Sequence, residues 1–125
     1  MKSLTARLLA VLREPHTINL PEKTASFLVR IQLASNADYD DLHDAMLEDG
    51  FEREIRAVDG SSKQLPDATY FLARQSDDTS AEAVHSRVER AVTKHKIRTN
   101  QPRVTAQTLV VEVSDAWFEL NDSAD

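Results

Sequence analysis

Residues 48–60 read EDGFEREIRAVDG, and this stretch holds both of the glycines in the 125-residue chain. Gly50 follows an amphipathic segment and stands where the C′ residue of a helix takes a positive φ. Asp59 and Gly60 form a dipeptide that is typical of turns. The segment between the glycines alternates imperfectly between apolar and polar side chains, which predicts a strand. The two glycines therefore bracket one strand, between a helix and a turn.

Working outward from this stretch, apolar residues follow two different periods. Upstream, residues 25–35 read ASFLVRIQLAS and alternate with period two, which predicts a strand with one apolar face. Downstream, residues 68–75 predict a returning strand, residues 77–95 a second helix, and residues 104–114 a last strand. The order strand, helix, strand, strand, helix, strand predicts an α+β, ferredoxin-like βαββαβ fold. Such a fold has a four-stranded antiparallel sheet with both helices on one face.

The two faces of the predicted sheet differ in character. The last strand is expected to turn Leu109, Val111 and Val113 toward the core. The other face is expected to stay open, and its mixed side chains indicate a surface that meets a partner or a second copy of the chain. Its members are Leu28, Arg30, Gln32, Thr108, Val110 and Glu112.

The length of the chain suits one domain with additions at its ends. Residues 25–120 are expected to form the ferredoxin-like domain, residues 1–24 an N-terminal helix and linker, and residues 121–125 a flexible tail. The N-terminal helix is predicted from an apolar stripe that is too short to be stable alone and is expected to dock. The stripe consists of Leu4, Leu8, Val11 and Leu12.

Composition excludes several classes of function. The absence of cysteine excludes a disulfide framework and a thiol nucleophile, and it fits a reducing cytoplasm. Two glycines are too few for a phosphate-binding glycine loop. The apolar run at residues 8–12 is too short for a membrane span. A net charge of −6 argues against duplex DNA as a partner.

Positive charge is nevertheless concentrated in residues 86–103, which contain six basic residues apart from histidine and one acidic residue, Glu89. Such a patch could follow the phosphate backbone of single-stranded RNA, although basic residues also suit the C-terminus of a helix. The candidate RNA-binding residues are Arg87, Arg90, Lys94, Lys96, Arg98 and Arg103.

His43 lies between two aspartates on the first helix, and Asp40 precedes it by three residues, so the two side chains can meet on one helix face. This spacing is compatible with an acid–base histidine, but it is more typical of a surface histidine in an acidic helix. The neighbouring aspartates lack the glycine of a calcium loop and fit a solvated helix start. No metal site and no cofactor are predicted. These aspartates are Asp38, Asp40, Asp41 and Asp44.

Several features across residues 25–118 resemble the type V antitoxin family, the GhoS-like proteins. They are Tyr39 after the first strand, Met46 near the helix end, Gly50-Phe51, Asp59-Gly60, the QLP of residues 64–66, and the aromatic strand that follows. The resemblance implies a ferredoxin-like fold akin to the small CRISPR-associated spacer-acquisition nucleases. It also implies a cytoplasmic endoribonuclease that silences a membrane toxin by cutting its messenger RNA.

Two interpretations remain open from the sequence. In the first, the protein binds toxin messenger RNA and cuts it without metal, with His43 as the base and Arg30 as the cation near the phosphate. In the second, it is a non-catalytic homodimeric binding module that uses its open sheet face on a protein partner.

The sequence departs from the family pattern at two places. The first helix is acidic here, unlike the basic helix that the family implies. The first strand ends QLASN, without the metal-binding aspartate of the spacer-acquisition nucleases.

Overall fold

The computed structural model describes residues 15–18, 20, 23–34 and 39–123. The predicted N-terminal helix lies outside these residues. Within them the chain is an α+β protein whose two helices and seven strands follow one another in this order: β1 (His16–Thr17), β2 (Thr24–Leu33), α1 (Tyr39–Glu48), β3 (Glu54–Arg56), β4 (Ser62–Gln64), β5 (Thr69–Ser76), α2 (Ala81–Arg98), β6 (Ala106–Glu112) and β7 (Trp117–Phe118).

The central sheet of the described chain has three antiparallel strands in the order β5–β2–β6. β2 lies in the middle, and its alternating pattern gives it the one apolar face that was predicted. The segment before β3 reaches the free edge of β5 through one bridge, in which the backbones of Glu52 and Phe71 exchange hydrogen bonds of 2.9 and 2.7 Å. Beyond that bridge β3 turns away to pair with β4, so the sheet differs from the expected ladder of four strands.

Both helices pack on the same face of this sheet. The inward residues of β2 share one core cluster with the apolar stripes of α1 and α2. The spacing of these residues matches the period of a strand on one side and that of a helix on the other. The fully buried members include Phe27, Val29, Ile31, Leu42, Met46, Val84 and Val88.

Both glycines do what their sequence contexts predict. Gly50 has a φ of +90° and Gly60 a φ of +88°. The N–H of Phe51 donates to the carbonyl of Met46 and the N–H of Gly50 to that of Leu47, which is the Schellman arrangement at the end of α1. Gly60 lies in the tight turn between β3 and β4, which pair as an antiparallel hairpin.

The faces of β6 are opposite to those expected. β6 pairs with β2 so that Val110 lies beside Val29 and Leu109 beside Arg30. Val110 packs against the core of the helix face, whereas Leu109 is 60% exposed and Val111 40% exposed on the other face. Val113 packs against the apolar cluster on that other face. The expectation for Leu109, Val111 and Val113 was therefore wrong, as was the placement of Thr108, Val110 and Glu112 on the open face.

The face expected to stay open is partly covered by both ends of the chain. β1 pairs with β7, and a second apolar cluster forms beneath them around Ile18, Ile55, Leu65 and Phe71, with Leu28 packed against it. Asn121 and Ser123 exchange backbone hydrogen bonds with β4, although residues 121–125 were expected to form a loose tail. Arg30 and Gln32 remain exposed at the uncovered end of this face.

Candidate active site

A cleft of about 610 Å³ opens between α1 and the segment that contains β3. The end of α1 forms one wall of the cleft. The Schellman turn at Gly50 then directs the chain straight into the opposite wall. The lining combines one histidine, two arginines and three acidic residues with an apolar floor. It consists of His43, Asp44, Leu47, Phe51, Glu52, Arg53, Glu54, Arg56 and Gln64.

His43 is held in this cleft by two tyrosines. Its Nδ1 lies 2.7 Å from the hydroxyl oxygen of Tyr70 on β5. Its ring centroid lies 5.7 Å from that of Tyr70 and 6.3 Å from that of Tyr39. Tyr39 is itself fixed, because its hydroxyl accepts a hydrogen bond of 2.9 Å from the N–H of Leu33. The imidazole is therefore oriented by groups on the central sheet and on its own helix.

The surroundings of His43 favour its neutral form. Burial lowers the pKa of His43 below its ordinary value, and the positive charge of Arg53 lowers it further, against the opposing effects of Asp40, Asp67 and Asp44. Burial raises the pKa of Tyr70, so its phenol keeps its proton at neutral pH. A neutral imidazole hydrogen-bonded to a phenol can accept a proton at neutral pH.

Two guanidinium groups lie in the same cleft as His43. Arg53 makes a 3.5 Å ion pair with the exposed Asp67, and its buried Nε has no hydrogen-bond partner within the described residues. Arg56 donates to the carbonyl of Gly60 over 3.4 Å and is otherwise exposed. Both can present N–H groups to an anion such as a phosphate. Neither arginine stands out in the sequence, because the alternating charges of residues 52–56 resemble an ordinary solvated strand.

The structure does not bring Arg30 and His43 together. In the β2–β5 pair, Tyr70 lies opposite Val29, and Arg30 lies opposite Thr69. Successive residues of a strand point to opposite faces, so Tyr70 and His43 occupy the helix face and Arg30 occupies the other. The cation beside His43 is Arg53.

Half of the predicted RNA-binding patch is engaged within the protein. Arg87 donates to the carbonyl of Asp49 over 2.7 Å and to Gln75 over 3.0 Å, and its guanidinium lies 5.4 Å from the centre of the Phe51 ring. Lys94 pairs with Glu48 at 3.5 Å, and Arg98 pairs with Asp41 and Glu48. The remaining candidates, Arg90, Lys96 and Arg103, make no ion pair with the described part of the chain.

Two acidic residues of α1 that face α2, Asp41 and Glu48, pair with the basic residues of α2. Asp41 accepts from both Nε and Nη2 of Arg98, at 3.1 and 2.7 Å, and lies 2.9 Å from Nδ1 of the fully buried His95. Burial acts to raise the pKa of Asp41, but the hydrogen bonds and charges of Arg98 and His95 outweigh it, and the pKa is lowered. Asp38, another member of the predicted acidic cluster, lies outside the described residues.

This ion network and the cleft lie on opposite flanks of α1. Helical residues are separated by 100°, so Asp41 and Glu48 lie about 160° and about 140° around the helix from His43. Arg98 and Lys94 therefore cannot reach a phosphate held beside His43 without leaving their partners. The structure therefore separates His43, in the cleft, from the basic residues of α2, which lie on the far side of α1.

The described residues give no sign of a metal site or of a membrane-spanning helix. In the described stretches, no group of three or more histidine, aspartate or glutamate side chains could hold a metal ion. Among the helices described, none is long and apolar enough to cross a membrane. Comparisons with protein-family models, with curated proteins and with solved structures found no match for this chain.

Proposed function

We propose that the protein binds single-stranded RNA in the cleft between α1 and β3 and cleaves it without a metal ion, with His43 transferring the proton. The observation that carries the proposal is the arrangement of His43. A half-buried imidazole, oriented by Tyr70 and kept neutral by burial and by Arg53, opens into a 610 Å³ cleft that also contains Arg56.

The chemistry needs one base and one cation beside a phosphodiester. When Nδ1–H of His43 donates to Tyr70, Nε2 holds the lone pair that takes the proton of the ribose 2′-hydroxyl. The 2′-oxygen then attacks phosphorus, the bond to the 5′-oxygen breaks, and that oxygen takes a proton from water. The hydroxide left behind takes the proton from Nε2 of His43, which returns the imidazole to its neutral form. The products are a 2′,3′-cyclic phosphate and a 5′-hydroxyl. Arg53 and Arg56 stabilise the charge that develops on the phosphate oxygens.

The proposal includes a ferredoxin-like fold, in which the segment from Glu52 to Arg56 acts as the fourth strand. The bridge between Glu52 and Phe71 supports this interpretation, because it sets the segment against β5, the position of that strand in a split βαβ sheet. The resemblance to GhoS-like antitoxins then supplies the class of substrate, a toxin messenger RNA in the cytoplasm.

The experiment compares two arginine variants that differ in position. A fluorescent single-stranded RNA is incubated with the protein in excess EDTA, and products are resolved on a gel. We expect cleavage with a cyclic phosphate end, lost in His43→Gln and in Arg53→Ala, and retained in Arg30→Ala, which removes an exposed arginine from the other face. RNA with 2′-deoxyribose should bind and stay intact.

RNA affinity and the pH dependence of cleavage together separate RNA binding from the chemical step. His43→Gln should retain affinity, whereas Arg53→Ala and Arg56→Ala should weaken it and reduce its salt dependence by roughly 0.7 units of slope per lost phosphate contact. The cleavage rate should fall on acidification along a limb below the ordinary histidine pKa. Equal loss of cleavage in Arg30→Ala, or cleavage that survives in His43→Gln, would contradict the proposal.

A second candidate function is a non-catalytic homodimeric binding module that acts through the sheet face opposite the helices. The net charge of −6 and the exposure of Leu109 and Val111 on that face favour it. It predicts no measurable RNA affinity at physiological salt for any variant, so the same binding measurement distinguishes the two candidates.

A further inference from the structure

β6 is the outer strand of the central sheet, and no other strand of the described chain pairs with its far side. The N–H of Val113 donates to Ser26, and the carbonyl of Thr105 accepts from Ala34, over 2.8 and 3.0 Å. In an antiparallel pair alternate residues bond to the same neighbour, so the odd-numbered residues of β6 face β2. The backbone groups that face outward belong to Ala106, Thr108, Val110 and Glu112.

This edge lacks the features that usually prevent strands from pairing with other chains. Such features are proline, inward-pointing or central charges, and bulges. The sequence AQTLVVE of β6 contains no proline, lysine or arginine, and its one charge, Glu112, is its last residue. The pairing of β6 with β2 runs without a shift from Ala106 to Glu112, so no bulge bends the edge away.

Two exposed apolar side chains lie along this edge. Leu109, at the middle of β6, is 60% exposed, and Val111 is 40% exposed on the same face. Apolar side chains beside a row of unpaired backbone groups are the combination that a further strand would cover.

We propose that β6 pairs antiparallel with β6 of a second copy of this chain, about a two-fold axis at Leu109. This register overlaps all seven residues of β6. Leu109 then faces its own symmetry mate in a non-hydrogen-bonded pair, and the outward backbone groups of Thr108 meet those of Val110 of the partner subunit. The result is a continuous six-stranded sheet across two protomers.

Charge complementarity favours a second copy in this register. Arg103 lies three residues before β6 and Asp115 three residues after it, so the pairing brings Arg103 of one protomer near Asp115 of the partner subunit at both ends. Both residues are exposed, and neither makes an ion pair with the part of the chain that the structure describes.

The first test measures mass by light scattering across a range of protein concentrations. The full chain should reach twice the 14.0 kDa of one protomer, and Leu109→Lys should shift it to the monomer. The control is Val58→Lys, which places the same charge on an apolar residue of matched exposure, 63%, away from β6, and it should stay dimeric. Circular dichroism checks that both variants fold. A full chain that is monomeric throughout, or a Leu109→Lys variant that stays dimeric, overturns the proposal.

The second test uses the absence of cysteine from the chain. In the proposed register the Cα atoms of Leu109 lie about 4.5 Å apart across the axis, which permits a disulfide. Leu109→Cys should therefore form a disulfide dimer under mild oxidation. Gln107→Cys, on the same face, stands opposite Val111 of the partner subunit and should stay monomeric on a non-reducing gel. Cross-linking of Gln107→Cys that equals that of Leu109→Cys would place the axis elsewhere and overturn the pairing.

Discussion

At the scale of single residues, Gly50 joins the helix of the candidate site to its opposite wall. Its φ of +90° is one that side chains bearing a Cβ rarely adopt, and a Cβ there would lie 3.5 Å from Nη2 of Arg87. That distance is an ordinary contact, so the backbone conformation, more than crowding, requires glycine at this position.

We therefore predict that Gly50→Val lowers the free energy of unfolding by about 1–2 kcal/mol, because a β-branched residue resists positive φ. Gly50→Asn should cost less, since asparagine tolerates left-handed conformations better. Denaturant unfolding followed by circular dichroism measures both. A valine variant as stable as the parent would show that this turn does not hold the end of α1.

The same scale shows what the sequence could reveal of the site. Gly50 and Gly60 were predictable because a turn is decided by a few neighbouring residues. His43 could be identified as a candidate, but its partners could not, because Tyr70 and Arg53 reach it from other parts of the chain. Arg30 was predicted as the catalytic cation on account of its charge. The pairing of β2 with β5 is what shows that its side chain lies on the sheet face opposite His43.

At the scale of elements, β6 shows where a period-two pattern fails. Leu109, Val110 and Val111 form a continuous apolar run, so either set of alternate residues can face the core. The pairing with β2 decides between them, and it turns Val110 inward. The apolar alternation of β2 is interrupted only at Leu28, and its face was predicted correctly.

The packing of α1 on α2 depends on the contacts that Asp41 makes with Arg98 and His95. Asp41→Ala removes the carboxylate that holds Arg98 and leaves the buried His95 with neither nitrogen bonded within the described chain, since its Nε2 already has no partner there. Leaving a buried polar group unsatisfied costs about 1–3 kcal/mol, and we expect a loss of this size.

The matched control is Asp44→Ala, which makes the same substitution on the exposed side of α1 and should change the free energy of unfolding by less than about 0.5 kcal/mol. Thermal and denaturant melts of the two variants provide the comparison. Equal stability of Asp41→Ala and Asp44→Ala would mean that the ion network adds nothing to the packing of the helices.

At the scale of the whole molecule, the second apolar cluster brings together segments far apart in the sequence. The short segments that contain β1, β7 and the β3–β4 hairpin, together with the residues just after each, supply only two or three apolar residues apiece, too few to form a recognisable pattern. Residues 16–20 were interpreted as a linker for this reason. Lys63 of β4 is buried and pairs with Asp122, which lies 59 residues later in the sequence.

The stability of the folded protein should depend on pH through His43 and Asp41. The pKa of His43 is lowered by burial and by Arg53, so the unfolded chain binds a proton at this site at a higher pH than the folded one. The contribution of this site to stability is therefore fully present above the ordinary histidine pKa of about 6.5. It is lost as pH falls toward the pKa of His43 in the folded protein. The lowered pKa of Asp41 has the same sign at more acidic pH, where its ion pairs are lost as the carboxylate is protonated.

Free energies of unfolding measured by denaturant titration across this pH range should thus decline in two stages. His43→Gln should remove the first stage and keep the second, whereas Asp41→Ala should keep the first and diminish the second. Added salt should weaken the second stage more than the first, because screening acts on charge pairs and leaves the desolvation of His43 in place. If both variants followed the parent curve, neither group would differ in pKa between the folded and unfolded chain, and the environment inferred for the imidazole in the cleft would be refuted.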